Sequence, residues 1–283
     1  MAVATLHRGA QGMTPFGFRP GDTSTNLGVA YFTDFFELGA FEKNASTDGT
    51  LVEGACGVFK IQDSAGTPAD GWAATKLVIE PAKGRRWSFM TRLKFDGYKP
   101  TTSYDTLEAM TTNCDGSAGT PNCTPLLDCW CEATSTCEVR GLSFDNVSFG
   151  FSGQGRADLS ADADNAGFTV KLGNIDCGGP GSANTEIDCS FKGTGGTDSS
   201  KIPIAVEDLP GGSQFDWREY HTFGLELCET SSGTLVDYYI DGLLMKSVRS
   251  TDTAAEMCVM FGGTADNTEG LLIDAASFGG PRV

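Results

Sequence analysis

Between Trp87 and Phe95 the chain alternates without a break: Trp87, Phe89, Thr91, Leu93 and Phe95 share one side, and Ser88, Met90, Arg92 and Lys94 the other. A period of two with one apolar face predicts a half-buried β-strand. The same rhythm recurs in "NVSFGFSG" (Asn146 to Gly153) and "GFTVKLGNI" (Gly167 to Ile175), and "GVAYFTDFF" starts the series. "HTFGLEL" places His221, Phe223, Leu225 and Leu227 together, "ETSSG" turns, and "LVDYYID" follows. Asp241-Gly242 is a tight-turn dipeptide from which "LLMKSV" returns, and "AEMCVMFGG" and "GLLIDAASFGG" supply the last strands. Helical spacing is almost absent; "SYDTLEAMTT" offers about two turns at most. Many short strands joined by Gly-rich turns predict an all-β antiparallel sandwich, a jelly roll.

Outside this rhythm stand two segments. Residues 1–27, rich in Gly, Thr and Pro, read as an extended N-terminal arm, lying either along its own domain or on a neighbouring subunit. Residues 28–283 then form the sandwich, with a Cys-rich insertion at about 111–140 that lacks strand rhythm and is expected to decorate one rim.

Composition narrows the function classes. Thirty-seven acidic against 20 basic residues give a formal charge of −17. Such a surface repels nucleic acid and anionic membranes, and no apolar run approaches the roughly 18 residues of a membrane-spanning helix. The first residues show no continuous apolar leader core. There are ten cysteines: Cys56, Cys114, Cys123, Cys129, Cys131, Cys137, Cys177, Cys189, Cys228 and Cys258. They include no C-x-x-C pair, and neither His7 nor His221 is near them, so disulfides in an extracellular, oxidising setting are expected rather than a zinc site. The pairing stays open.

The stretch from Trp217 through Tyr220–Phe223 to Tyr239–Gly242, with the closing "GLLIDAASFGG", resembles the concanavalin A-like lectin/glucanase superfamily over roughly residues 205–280. The resemblance implies a jelly roll and, for its glucanases, a strand reading E-x-D-x-E or E-x-D-x-x-E whose alternate carboxylates point into one groove. Glu186 and Asp188 in "TEIDCSFKG" match the start of that strand, but Ser190 and Phe191 stand where the third carboxylate should fall. A retaining mechanism needs two carboxyl groups about 5–5.5 Å apart. Lying between Cys177 and Cys189, the pair is expected in a bridged hairpin loop. Asp105 and Glu108 are a weaker pair, and His221, on an apolar face, reads as a hydrogen-bonded core residue.

Binding needs aromatic faces and fixed polar groups. Trp87 and Trp217 start predicted strands and read as core, whereas Trp72, just before a strand, and Trp130, between Cys129 and Cys131, are the glycan-binding candidates. Asp158, Asp162 and Asp164 with Asn165 offer clustered oxygen ligands for calcium, although the EF-hand spacing fails at Ala166. Asn44, Asn122 and Asn146 are glycosylation sequons. Two functional expectations follow. One is a non-enzymatic, outward-facing structural or decoration protein of a large assembly, such as a virion surface, that of a phage for example, joined to other subunits through the arm and holding glycans weakly. The other is a secreted laminarinase-like glycoside hydrolase.

Overall fold

The computed structural model describes residues 27–33, 41–43, 50–51, 58–61, 70–79, 81, 86–96, 99–104, 129–131, 137–153, 164–176, 186–194, 200–212, 215–254, 256–264 and 270–281. Side chains of some strand residues, Cys129–Cys131 among them, are outside this description. The arm expected at 1–27 lies outside it up to residue 26, as do Asp105 and Glu108.

Seventeen strands are present among the described residues: β1 (Leu27–Thr33), β2 (Phe41–Lys43), β3 (Thr50–Leu51), β4 (Phe59–Ile61), β5 (Asp70–Ile79), β6 (Arg86–Asp96), β7 (Lys99–Tyr104), β8 (Cys129–Cys131), β9 (Cys137–Ser152), β10 (Asn165–Asp176), β11 (Glu186–Lys192), β12 (Ser200–Pro203), β13 (His221–Thr230), β14 (Gly233–Ile240), β15 (Leu243–Ser250), β16 (Met257–Thr264) and β17 (Gly270–Pro281). They form two antiparallel sheets. Sheet A has the order β15-β14-β13-β6-β17-β4-β3, with β1 also on β17; sheet B runs β12-β11-β10-β9-β16-β5-β2, with β7 and β8 also on β9.

Alternation makes the sandwich. Trp87, Phe89, Leu93 and Phe95 of β6, Phe223, Leu225 and Leu227 of β13, and Val236, Tyr238 and Ile240 of β14 are buried in one core with Phe149 and Phe151 of β9, Phe168 and Val170 of β10, and Ile187 and Phe191 of β11. Rings interlock across the two sheets: Phe223 meets Phe149 edge-on at 5.1 Å and Phe168 at 5.4 Å, and Phe89 meets Phe151 at 5.8 Å. Thr91, the one polar residue on the inner face of β6, is satisfied because β17 bulges between Ile273 and Ala275, and its hydroxyl donates to the Ala275 carbonyl at 2.9 Å.

The β13–β14–β15 meander follows the expected turns. Asp241 (φ 48°) and Gly242 (φ 78°) both take left-handed backbone, as a two-residue hairpin turn requires. Asp241 tolerates it because its carboxylate accepts from the Thr222 N–H at 2.8 Å and pairs with His221 Nδ1 at 2.7 Å. His221 Nε2 faces the Asp216 carbonyl at 2.9 Å and the ring stacks on Phe215 at 3.8 Å, so it is a half-buried, bonded residue.

Several expectations need correction. Trp217 is buried but does not start a strand; it lies in the turn before β13, with its ring 5.3 Å from that of Phe95. Trp72 lies inside β5 rather than before it. Part of the Cys-rich insertion is strand: β8 pairs with the start of β9, Cys131 opposite Cys137 and Trp130 opposite Glu138. Ser103 and Tyr104, placed in a short helix by sequence, end β7.

Candidate functional site

Three cysteines with described side chains, Cys189, Cys228 and Cys258, are free thiols, against the disulfide expectation for them. Alternation explains why. Cys189 points into the core from β11, Cys228 lies on the outer side of β13 in sheet A, and Cys258 on the outer side of β16 in sheet B. Different faces and sheets keep them beyond the roughly 4.4–6.8 Å Cα spacing of a disulfide. Cys56, Cys114, Cys123 and Cys177 lie outside the described residues, and Cys129, Cys131 and Cys137 are on described strands without described side chains.

Cys189 therefore acts as a small core residue. Burial pushes its thiol pKa well up, the adjacent Asp188 carboxylate adds to this, and the Lys246 ammonium opposes it. Tyr238 reaches across from sheet A to donate its hydroxyl to the Ser190 carbonyl at 2.6 Å. Burial, then the neighbouring Cys189, pushes this phenol well above its ordinary value.

Because Cys189 fills an inward slot, Glu186 and Asp188 stand on a regular strand, not in a bridged loop. Opposite the inward Ile187, Cys189 and Phe191, the outward face of β11 reads Glu186, Asp188, Ser190, Lys192. Glu186 is exposed and Asp188 half-buried, while Ser190, at the expected third carboxylate position, is buried and donates to Asn165 Oδ1 at 3.2 Å.

Register extends this face across sheet B. Asp188 is opposite Thr169, Thr169 opposite Ser148, Ser148 opposite Gly262, and Gly262 opposite Trp72. Asp188 and Trp72 thus stand at the two ends of one row, four strand spacings or about 19 Å apart. Both are half-buried; between them Ser148 and Thr169 are buried and hydrogen-bonded to each other at 3.1 Å. Beside the row Trp72 packs with Ala74, Met260 and Cys258. Gly150, in the next row, has φ 143°, and a Cβ there would fall 2.5 Å from the Ala166 carbonyl oxygen, so this part of the face has to stay flat.

The other candidates do not join this row. Trp130 is on β8, paired to a different part of β9. Asp158 and Asp162 lie outside the described residues. Asp164 accepts from Thr194 Oγ1 at 3.1 Å, and no cluster of three or more acidic, His or Cys ligands occurs among the described residues. Asn146 lies on β9; Asn44 and Asn122 are outside the described residues. The buried hydroxyl pair Ser148–Thr169 was not singled out from sequence, although the alternation in "NVSFGFSG" already put Ser148 opposite to Phe149.

No family model matches the chain, and no curated protein matches it. Among solved structures, the carbohydrate recognition domain of Emp47p aligns with 93% of this chain and 100% of its own, at a TM-score of 0.50 and 12% identity. Peanut lectin aligns over 89% of this chain and 97% of its own (TM-score 0.48, 10% identity), and the Bacillus licheniformis β-glucanase over 89% and 98% (TM-score 0.44, 10% identity). The fold is the concanavalin A-like jelly roll of lectins and glucanases. At these identities the likeness is one of fold alone.

Proposed function

We propose that the chain is a non-enzymatic protein that binds carbohydrate on the outer face of sheet B. The observation that carries this reading is the cross-strand row from Asp188 to Trp72, whose half-buried ends present a carboxylate and an aromatic ring on one face, held in place by the buried Ser148–Thr169 hydroxyl pair beneath. The Emp47p likeness supports the scaffold only. Against hydrolysis stands β11 itself, where Ser190 and then Lys192 follow the two acids on the outward face, so the pair lacks the further carboxylate that the resemblance requires. The hydrolase alternative rests on Glu186 and Asp188 sharing that face.

A glycan array with the full chain, with Trp72→Ala and with Asp188→Ala tests the reading. Binding that both substitutions weaken is expected; a wild-type chain that binds no glycan refutes it. The hydrolase alternative predicts β-glucan cleavage that Glu186→Gln abolishes, and we expect no cleavage by either form. An extracellular place on a larger assembly, such as a virion surface, with residues 1–27 as the anchor, belongs to the same proposal and rests on the composition of that segment. Sedimentation from the native source tests it: a free monomer refutes the assembly role, as does normal attachment after deletion of residues 1–27.

A further inference from the structure

At the start of β9 the ladder register brings cysteines together. β9 pairs with β7 along one edge and with β8 along the other. Cys137 is opposite Cys131 on β8 and Tyr104 on β7, and Val139 is opposite Cys129 and Thr102. Alternation therefore assigns Cys129, Cys131, Cys137 and Val139 to one face of this three-stranded corner. Cys189, Cys228 and Cys258 are free thiols, so none of them competes for these sulfurs.

Spacing selects one pair among the three. Directly opposed residues of an antiparallel ladder have Cα atoms about 4.5–5.5 Å apart, inside the roughly 4.4–6.8 Å range of a disulfide. The diagonal from Cys129 to Cys137 is about 7–8 Å, outside that range. Cys129 and Cys131, two residues apart on one extended strand, are about 6.8 Å apart, at its limit. β8 has three residues, ends at Cys131, and has few ladder bonds of its own to hold it on β9. The neighbouring rung belongs to the opposite face: Ser103 is opposite Glu138, and Glu138 opposite Trp130. It sets a hydroxyl residue, a carboxylate residue and an aromatic residue on three adjacent strands, within two strand spacings or about 9.5 Å.

We infer that Cys131 and Cys137 form a cross-strand disulfide, and that by fixing β8 on β9 it makes the row Ser103–Glu138–Trp130 a second carbohydrate contact. The bond forms by exchange with a disulfide donor of the oxidising surroundings. The thiolate of one cysteine attacks a donor sulfur and expels one donor thiol, and the thiolate of the other attacks the mixed disulfide and expels the second. Two protein thiols lose two protons and two electrons, and the donor disulfide leaves as two thiols. The sugar as ligand of the row rests on the reading proposed above; the disulfide does not.

The full chain from its native source is alkylated without reductant and cut with chymotrypsin and a Glu-specific protease. Cleavage after Trp130 separates Cys129 from Cys131, and cleavage after Glu132 separates Cys131 from Cys137, so mass spectrometry reads each pairing. Expected are Cys131 and Cys137 peptides joined until reduction, with Cys129 joined to neither. Recovery of both as alkylated thiols, or of either joined to a different cysteine, overturns the disulfide. Cys131→Ser, Cys137→Ser and the double variant should each be cut after Glu132 roughly tenfold or more faster than the oxidised wild type, the double no faster than the singles. Reductant should bring the wild type to the same rate; a wild-type rate that ignores reductant refutes the fastening of β8. Glycan binding should weaken severalfold in Trp130→Ala and on reduction of the wild type, whereas reductant should leave the binding of Cys131→Ser unchanged. Binding that survives Trp130→Ala in the bridged protein refutes the second contact and keeps the disulfide. A bridged wild type that binds no glycan refutes the carbohydrate reading as well, and again keeps the disulfide.

Discussion

Raising the pH should destabilise this protein first through Cys189. The thiol is fully buried, and burial, reinforced by the Asp188 carboxylate and only partly offset by Lys246, holds its pKa far above the ordinary range. In the unfolded chain it titrates at about 8.5. Below that pH both states hold the proton and the group contributes nothing. Above it the unfolded chain has released the proton while the native state keeps it, so the unfolded state binds fewer protons and stability falls as pH rises. One proton of difference is worth about tenfold in the folding constant for each pH unit. Tyr238, raised by its burial and by Cys189, adds a second such factor above about pH 10, where an unfolded tyrosine ionises. Urea unfolding of the wild type and of Cys189→Ala, under reducing conditions and at intervals from pH 7 to pH 10 or so, isolates the thiol. Cys189→Ala should cost roughly 1 kcal/mol at neutral pH for the lost buried sulfur. That gap, about fivefold in the folding constant, should vanish near pH 9 and reverse by about pH 10, the wild type losing close to tenfold between those two values, since only it carries the titrating group. Curves that fall in parallel across that window would refute a buried, protonated Cys189.

Tyr238→Phe removes the 2.6 Å bond that ties sheet A to the Ser190 carbonyl of sheet B, and it should cost about 1–2 kcal/mol in urea unfolding without changing the slope. At the β14–β15 turn, Gly242→Ala meets no atom within 4 Å, so its cost should be the left-handed backbone penalty alone, about 1 kcal/mol. Asp241→Ala should cost more, about 2–3 kcal/mol, because it also removes the acceptors for the Thr222 N–H and for His221; equal losses at the two positions would show that those bonds contribute nothing. His221→Ala gives up both ring-nitrogen contacts and the Phe215 stack, and a thermal midpoint unchanged from the wild type would refute its role in fastening the Phe215–Tyr220 segment to β13.

Strands that alternate over six or more residues could be read directly, because a half-buried strand writes its two faces into the sequence. β6, β9, β10, β13 and β14 are of this kind, and the Asp241-Gly242 turn fixes the hairpin from β14 to β15. The neighbours of each strand could not be read in this way. β6 lies between β13 and β17, and β16 between β9 and β5, through pairings that join distant segments, and no local pattern encodes them. Strands of two or three residues, such as β3 and β8, are too short to show a period.

The site shows the same division more sharply. That Glu186 and Asp188 share a face follows from their spacing alone. That they stand on a core strand was obscured by Cys189, which the even number of cysteines suggested as a disulfide partner. Counted instead as a small apolar residue, Cys189 completes the inward series Ile187, Cys189, Phe191, and "EIDCSFK" becomes a regular amphipathic strand. The same step gives Glu186, Asp188, Ser190 and Lys192 their common face, and with it the missing carboxylate. What joins that face to Trp72 is register across β10, β9, β16 and β5. A one-residue slip in any of those pairings would turn the partner strand inside out, so the apolar inner rows that fix the register of the core also align the polar outer rows. The arrangement of the candidate site is in this sense a by-product of core packing, and substitutions that shift the register of Phe149, Phe168 or Phe261 should disrupt the outer row without touching any residue in it.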